Sequence, residues 1–444
     1  MKKRIKFISA AVLAGVLVYM LPKLGVLYIF LALVWLAVYL VAAREKGAER
    51  RFLIAFIVLI VTSRLVMSLL VMHARGEALT QDEGLYGKRA LTKIYENYPM
   101  EDMPTRFWHY FNDYDLSQPT YGYNSYSYML SVFFRMFGYQ IQAARLINIL
   151  LCVAAFMMIY YIGRDTFGSK SAMAASALFA FFPSIFLWSS MISTDMLIIS
   201  SAAVCIMSMI RLARKFSPVW AAAFAAAVFV IWNVKQFLAA ILIATVTLSF
   251  AAMVFGRLSK RWRFAVAASA AIAAVFIFMS PVAKKAESEF LSKMGYVVTR
   301  QEAFALADDS GYLIYPEHCY RTETCAPSDI PAAYLKGIMY SVFAPFPWRV
   351  DSTLQLMAYP QMVLWYFMIP LTLYGFYEGF KRNRFATAVV ALYVFALFSL
   401  FAVTEGNMGA LFRHRDMAMP FLLVYFTGGC EAMALKLKQK DVPG

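Results

Sequence analysis

Long apolar runs separated by short, basic polar stretches make up most of this chain. A helix needs about 20 apolar residues to cross a hydrocarbon core about 30 Å thick, and helices satisfy their own backbone polar groups inside that core. We therefore predict an all-α integral membrane protein with about twelve transmembrane helices. The candidate spans are 7–21, 24–43, 52–73, 140–161, 171–189, 196–212, 218–234, 236–254, 264–281, 358–378, 385–403 and 417–435.

Composition agrees with a membrane protein and argues against a nucleic-acid-binding one. The 444 residues are 61% hydrophobic and only 15% charged, whereas soluble domains are about a quarter charged. The net charge of +16 could suggest a nucleic-acid partner. The lysines and arginines, however, lie in clusters between the apolar runs, as the positive-inside rule expects. We therefore predict membrane lipids, and no nucleic acid, as surroundings of the chain.

The charge clusters also predict the topology. With the N-terminus inside, every dense basic cluster falls on the cytoplasmic side. The first helix lacks a small-residue cleavage site, so we expect it to be retained. These features predict a multi-pass protein of a bacterial inner membrane, with two long segments on the outer side. The resulting division is 1–73 (helices), 74–139 (first outer segment), 140–281 (helices), 282–357 (second outer segment) and 358–444 (helices).

The first outer segment carries the acidic pair Asp82 and Glu83, followed by Lys88 and Arg89. A carboxylate beside apolar walls loses solvation, which raises its pKa and improves it as a general base. The two cations could contact a phosphate. A solvated loop with charges of both signs is the alternative. Residues 126–135 are apolar but too short to span, which favours an interfacial helix.

The second outer segment contains Cys319 and Cys325, separated by five residues. Disulfides persist in oxidising compartments such as the periplasm, so we predict a disulfide, with unpaired thiols as the alternative. A metal site is a weaker interpretation because His318 is the only imidazole nearby.

Other charged residues lie at the outer turns or inside the spans. Asp195 could cap a helix through the Ser193-Thr194-Asp195 turn, face the outer cavity, or do both. Arg413 and Arg415 flank His414 on the outer side, against the positive-inside tendency, where they could bind phosphate oxygens or anchor headgroups. Two arginines inside spans should face a cavity or a partner rather than lipid, and Lys235 at an outer turn could snorkel. The two are Arg64 and Arg145.

In their order along the chain these features resemble the GT-C superfamily of polytopic glycosyltransferases. The group that they resemble contains the protein O-mannosyltransferases and the lipid A aminoarabinose transferases. The similarity covers about 52–212 and weakens beyond it, and the double proline usual before the flat helix is missing. The matching residues are Arg64, Asp82-Glu83, Tyr86, Ala90, Gln118-Pro119-Thr120-Tyr121, Phe137-Gly138, Ala144–Asn148, Gly163–Gly168, Phe182-Pro183-Ser184 and Asp195.

The resemblance implies a polyprenyl-phosphate-linked sugar as donor and an extracytoplasmic lipid, glycan or protein as acceptor. Asp82 would be the base, with Glu83 and Asp195 in support, in one displacement that inverts the anomeric centre. No metal or other cofactor would be required, with a divalent metal as the less expected alternative. The phosphate would be held by Lys88, Lys235, Arg413 and Arg415, and the further site candidates are Tyr86, Arg89, Arg64, Arg145 and His414.

Two other functions stay open at this point. A glycan polymerase or O-antigen ligase would suit the large second outer segment and its arginines, but not the early acidic pair. A flippase or transporter of lipid-linked sugars would be expected to show internal repeats and interrupted helices. The sequence shows no convincing repeat, and its charges concentrate at one face.

Overall fold

The computed structural model describes residues 25–75, 81–95, 123–139, 141–257, 259, 261, 294–306, 310–322, 325–346, 348 and 353–440. These residues are almost entirely helical and form two compact units, Met1–Ala240 and Ile241–Gly444. Within the described ranges, extended pairing is limited to one isolated bridge, between Gly311 and Asn407. The predicted all-α membrane fold is thus confirmed.

The first unit contains nine helices and the beginning of a tenth among its described residues. They are α1 (Gly25–Arg44), α2 (Gly47–Arg75), α3 (Gln81–Tyr95), α4 (Tyr123–Phe137), α5 (Ile141–Thr166), α6 (Ser169–Phe181), α7 (Pro183–Ser189), α8 (Thr194–Arg214), α9 (Pro218–Val234) and α10 (Gln236–Arg257).

The second unit continues from α10 with helices of very different lengths. They are α11 (294–305), α12 (Glu317–Thr322), α13 (Ile330–Phe343), α14 (Thr353–Arg382), α15 (Arg384–Thr404), α16 (Met408–Arg415) and α17 (Met419–Lys440).

Six described helices are long and apolar enough to span a membrane, or up to eight if each of two bent pairs counts as one span. The six are α1, α2, α5, α8, α10 and α15, and the pairs are α6 with α7, bent by 61°, and α16 with α17, bent by 60°. The predicted span 218–234 is the shorter apolar helix α9, and 358–378 lies within α14. The candidates 7–21 and 264–281 lie outside the described residues, so the count of twelve stays a prediction.

The core of the first unit is formed by α8 and α5, whose side chains are mostly buried. Small residues explain how other helices approach α8 closely, because Ser200, Ala202 and Ala203 occupy little volume at its surface. Between α5 and α6 the approach is tighter still, since a Cβ on Gly163 would lie 3.0 Å from the Cα of Ala172.

A network of charges joins the predicted cytoplasmic ends of these helices. Arg164 at the end of α5 lies 2.7 Å from a carboxylate oxygen of Glu45 and 3.4 Å from one of Glu49. Asp165 pairs with Arg211 and Arg214 of α8, at 3.2 and 3.3 Å. The chain turns directly afterwards, and the positive φ of +104° at Gly168 is one that glycine adopts without strain. These ion pairs therefore connect the end of α5 to α2, to α8 and to the link between α1 and α2.

Glycines set the helix crossings of the second unit. A Cβ on Gly375 of α14 would lie 1.7 Å from the carbonyl oxygen of Tyr425 in α17, and one on Gly429 would lie 2.0 Å from that of Leu371. Only residues without a side chain permit such an approach. Gly337 likewise lets α13 meet α15. α13, in the predicted second outer segment, is therefore packed against a predicted span.

Candidate active site

A fully buried ion pair links the acidic pair to α5. The Nε and Nη2 atoms of Arg145 donate to the two carboxylate oxygens of Glu83, at 2.8 and 3.0 Å. Neither side chain is exposed to solvent. The backbone N–H of Ile192 also donates to Glu83, at 3.0 Å, and Nη1 of Arg145 donates to the carbonyl oxygen of Ser68 in α2, at 3.1 Å. The pair thus joins α2, α3, α5 and the segment that precedes α8.

Two buried tyrosines, Tyr86 and Tyr126, lie close to this ion pair. The buried ring of Tyr86 meets that of Tyr126 edge to face, with centroids 4.9 Å apart, and its hydroxyl lies 3.5 Å from Thr194 Oγ1. Burial raises the pKa of Tyr126 well above its usual range, and the neighbouring Tyr86, Asp195 and Glu83 raise it further. A phenol in this environment stays protonated and can act as a hydrogen-bond donor.

Asp195 lies in the first turn of α8, with 1% of its surface exposed. A carboxylate at a helix N-terminus interacts favourably with the helix dipole. The N-cap residue is Ser193, two positions earlier, which makes no side-chain cap bond and whose Oγ donates to Trp188 O at 3.3 Å. The structure therefore places Asp195 in the same buried environment as Tyr126, inside the first turn of α8 rather than at its N-cap as predicted.

Asp82 lies in the first turn of α3, directly before Glu83. Its side chain lies outside the described residues, so its role as the base stays a prediction. The ion pair made by Glu83 nevertheless fixes the backbone turn that carries Asp82. Farther along α3, Lys88 is exposed and Arg89 is half-buried.

Arg64 is fully buried in α2 and stabilises the break between α6 and α7. Its Nε donates to Ser189 Oγ at 3.0 Å, and its Nη2 donates to the carbonyl oxygen of Ala180. The guanidinium also lies over the ring of Phe186, 4.6 Å from the centroid. The prediction that this arginine faces protein rather than lipid is consistent with these contacts. Its position indicates a structural role, because it satisfies a helix-end carbonyl that the break leaves open.

Lys235 is half-buried at the C-cap of α9, and its backbone N–H donates to Ile231 O at 2.7 Å. The structure places it in the first unit, as it does Lys88. The other predicted phosphate ligands belong to the second unit.

In the second unit, the guanidinium of Arg415 donates hydrogen bonds to backbone carbonyl oxygens. It is 4% exposed and donates to Ser341 O at 3.1 Å and to Ala344 O, at the end of α13. A third nitrogen lies 2.9 Å from Met362 Sδ. Arg413 is half-buried on the same helix, α16. Between them, Nδ1 of His414 lies 3.0 Å from a carboxylate oxygen of Glu405.

The comparisons with known proteins bear on the first unit and on the start of the second. Residues 125–283 match the family model for dolichyl-phosphate-mannose-protein mannosyltransferase. This match supports a GT-C glycosyltransferase. It includes Tyr126, Arg145 and Asp195, whereas Asp82, Glu83, Arg413 and Arg415 lie outside it. No curated protein matches the chain.

The predicted disulfide between Cys319 and Cys325 is present. Within the described ranges, the group of potential metal ligands that the structure brings together is His318, Cys319 and Asp329. The sulfur of Cys319 is already bonded to Cys325, which removes it as a thiolate ligand. The independence from metal and other cofactors stays a prediction.

Sequence reasoning missed several residues of these clusters. Asn148, whose amide donates to Ser193 O at 3.2 Å, belongs to a matching motif but is not among the predicted site residues. Tyr126 lies in the segment predicted as an apolar interfacial helix. Glu405 could have been found, because an acidic residue directly after an apolar helix requires a partner. The backbone N–H of Ile192 has no sequence signal.

Proposed function

We propose that the chain is an inverting glycosyltransferase that moves a sugar from a polyprenyl phosphate to a hydroxyl of an extracytoplasmic acceptor. The observation that carries the proposal is the family match over 125–283, because Arg145, inside the matched segment, holds Glu83 of the acidic pair. The acceptor is a lipid, a glycan or a protein. The protein would act in a bacterial inner membrane, with its site on the outer side.

Asp82 is the better base of the two neighbouring carboxylates. Arg145 donates to both carboxylate oxygens of Glu83, and the N–H of Ile192 donates to one of them. Both oxygens are thus already engaged by donors that hold α3 in place. Glu83 therefore suits the role of orienting α3, and Asp82 is left as the group that takes the proton from the acceptor hydroxyl.

The reaction would be one displacement. As Asp82 takes the proton, the acceptor oxygen attacks the anomeric carbon from the side opposite the phosphate. The bond from that carbon to the phosphate oxygen breaks, and polyprenyl phosphate leaves with the electron pair. The anomeric centre is inverted, and one carboxylate base suffices, in contrast to the paired carboxylates of retaining hydrolases.

Fixed cations would stabilise the leaving phosphate as its negative charge develops. Lys88 and Lys235 of the first unit are proposed to contact it. In the second unit the same role is proposed for Arg413, whereas the guanidinium of Arg415 already donates to two backbone carbonyls. The buried Asp195 and Tyr126 would orient the acceptor and the base.

Replacing Asp82 by asparagine tests the proposal. We expect Asp82→Asn to lower the transfer of a labelled sugar from polyprenyl phosphate by about 10²–10⁴-fold, which is the usual contribution of a general base. Donor binding and folding should be unchanged. Glu317→Gln, which neutralises an exposed carboxylate of the second unit, is the matched control and should keep the wild-type rate.

Wild-type turnover by Asp82→Asn would refute the assignment of the base. The product then separates the functional classes. Addition of one sugar to the acceptor agrees with this proposal, whereas transfer of a preassembled chain indicates a polymerase or ligase. Movement of the donor across a proteoliposome membrane with the acceptor unchanged indicates a flippase.

A further inference from the structure

Glu405 is a buried carboxylate at the end of an apolar helix. It directly follows α15 and is 2% exposed. Burying a carboxylate in apolar surroundings costs several kcal/mol unless a partner compensates it. His414 of α16 is such a partner, because its Nδ1 lies 3.0 Å from Glu405 Oε1.

The His414 imidazole is held in one orientation. Its ring stacks on that of Phe401, with centroids 4.8 Å apart and planes 14° from parallel, and 15% of the side chain is exposed. The negative charge of Glu405 beside the ring favours a positive charge on the imidazole. Nε2, on the other side of the ring, is the atom through which His414 would meet a ligand.

The backbone that carries the two residues is fixed from several directions. Tyr312 N donates to Gly406 O at 2.7 Å, and Met408 N donates to Ser310 O at 3.1 Å. A Cβ on Gly406 would lie 2.1 Å from the carbonyl oxygen of Gln301, so this position accepts only glycine. Asn407 caps α16 by accepting from Ala410 N at 3.0 Å. Anchoring in lipid headgroups requires no such order, whereas a preorganised binding group does.

We propose that Glu405 is a positioning residue that orients His414, so that the imidazole and the adjacent Arg413 bind an oxygen of the donor's phosphate. The inference rests on the proposed function, and it makes phosphate binding by this helix end of the second unit depend on pH. A protonated imidazole donates a charge-assisted hydrogen bond, which is stronger than a neutral one.

The surroundings of the pair contain groups of both signs. Arg413, Arg415 and Asp416 belong to the same helix end as His414, and Tyr312 and Tyr340 come from the second outer segment and α13. Burial raises the pKa of Tyr312, with Glu405 and Tyr340 as further causes, so its phenol stays neutral. Glu405 is therefore the group through which a variant can change the charge of His414 most directly.

Binding of polyprenyl phosphate, without a sugar, tests the inference on the purified full chain. We expect the affinity of the wild type, relative to that of His414→Asn at the same pH, to fall as the pH rises from about 5 to about 8, as the imidazole loses its proton. In Glu405→Gln the imidazole loses its carboxylate partner, so the fall should occur at lower pH. The affinity of Glu405→Gln for polyprenyl phosphate should be about tenfold lower than that of the wild type at pH 7 and should approach the wild-type value near pH 5. The phosphate of the ligand also titrates, but it does so equally for all variants, so its effect cancels when two variants are compared at the same pH.

Two further variants complete the experiment. His414→Asn keeps an N–H near Glu405 but lacks Nε2, so it should bind about tenfold more weakly at pH 5 as well. His318→Asn is the matched control, because His318 also pairs with a carboxylate, that of Asp329 at 2.9 Å, but is 59% exposed. It should keep the wild-type affinity and pH profile.

The outcomes separate this inference from the proposed function. A wild-type chain that does not bind polyprenyl phosphate overturns both. A wild type that binds, with the same affinity and pH profile in Glu405→Gln, overturns this inference alone. If Glu405→Gln does not purify as folded protein, Glu405→Asp replaces it, since it keeps the charge but withdraws it from His414. Unchanged affinity in that variant also overturns the inference.

Discussion

The buried pair of Glu83 and Arg145 gives a sharp energetic prediction. Removing one member of a buried ion pair leaves the other charge uncompensated, at a cost of about 3–5 kcal/mol. In Glu83→Gln the side-chain oxygen can still accept from the N–H of Ile192. The new NH₂ group, however, faces an N–H of Arg145, so two donors oppose each other. Unfolded membrane helices also find new partners. We therefore expect a loss of about 3 kcal/mol, at the low end of that range.

Arg145→Met should cost about the same, because it leaves the Glu83 carboxylate buried without its guanidinium partner. The double variant removes both charges. We expect it to cost about 3 kcal/mol in total, not 6, which gives a coupling energy of about 3 kcal/mol. Unfolding of the purified protein in detergent by increasing fractions of SDS provides the three free energies.

An exposed pair provides the control for this cycle. Glu317 and Arg321 also form an ion pair, but their side chains are 78% and 75% exposed. The cycle of Glu317→Gln and Arg321→Met should therefore give a coupling of less than about 1 kcal/mol. If the double variant at Glu83 and Arg145 cost about 6 kcal/mol, the two residues would act independently, and the role of the pair in fixing α3 would be refuted.

Two further predictions concern the second unit. Replacing Cys319 and Cys325 together by serine should lower the free energy of unfolding by about 2 kcal/mol, because the disulfide closes only a short loop. Two free thiols in the wild type, found by mass mapping without reductant, would contradict the disulfide. Gly375→Ala should cost about 1–3 kcal/mol, since its Cβ would overlap the carbonyl of Tyr425. The same change at Gly87, where the nearest atom lies 3.6 Å away, should cost much less, and equal losses in SDS unfolding would refute the crossing argument.

The sequence predicted the parts of the fold that depend on hydrophobic length. Apolar runs identified most of the described spans, since the bilayer sets a minimum number of residues for a helix that crosses it. The pairing of Glu83 with Arg145 was not predictable, because a charge inside a span indicates that a partner exists but not which one. The bend between α6 and α7 was missed for a different reason. Pro183 is compatible with the first turn of a new helix as well as with a kink in a continuous one.

In the second unit, too, the partners of Glu405 and Arg415 could not be predicted from the sequence. The outer position of Arg415 predicts a contact with phosphate. Its guanidinium instead donates to the carbonyl oxygens of Ser341 and Ala344, more than 70 residues earlier in the chain. Glu405 lies nine positions before its partner, in a segment whose shape depends on residues 310–312. Contacts of this kind follow from tertiary packing, and no periodicity in the sequence encodes them.

The contacts of Arg64 have a consequence for the order in which the chain is made. Its acceptors, Ala180 O and Ser189 Oγ, lie 116 and 125 residues later, so α2 is synthesised long before they exist. An arginine at the centre of a membrane helix costs about 2.5–3.5 kcal/mol during insertion, and α2 must meet this cost from its own apolar residues until α6 and α7 arrive. Nascent chains that stop before residue 180 should therefore hold α2 less firmly in the bilayer than chains that continue past 189.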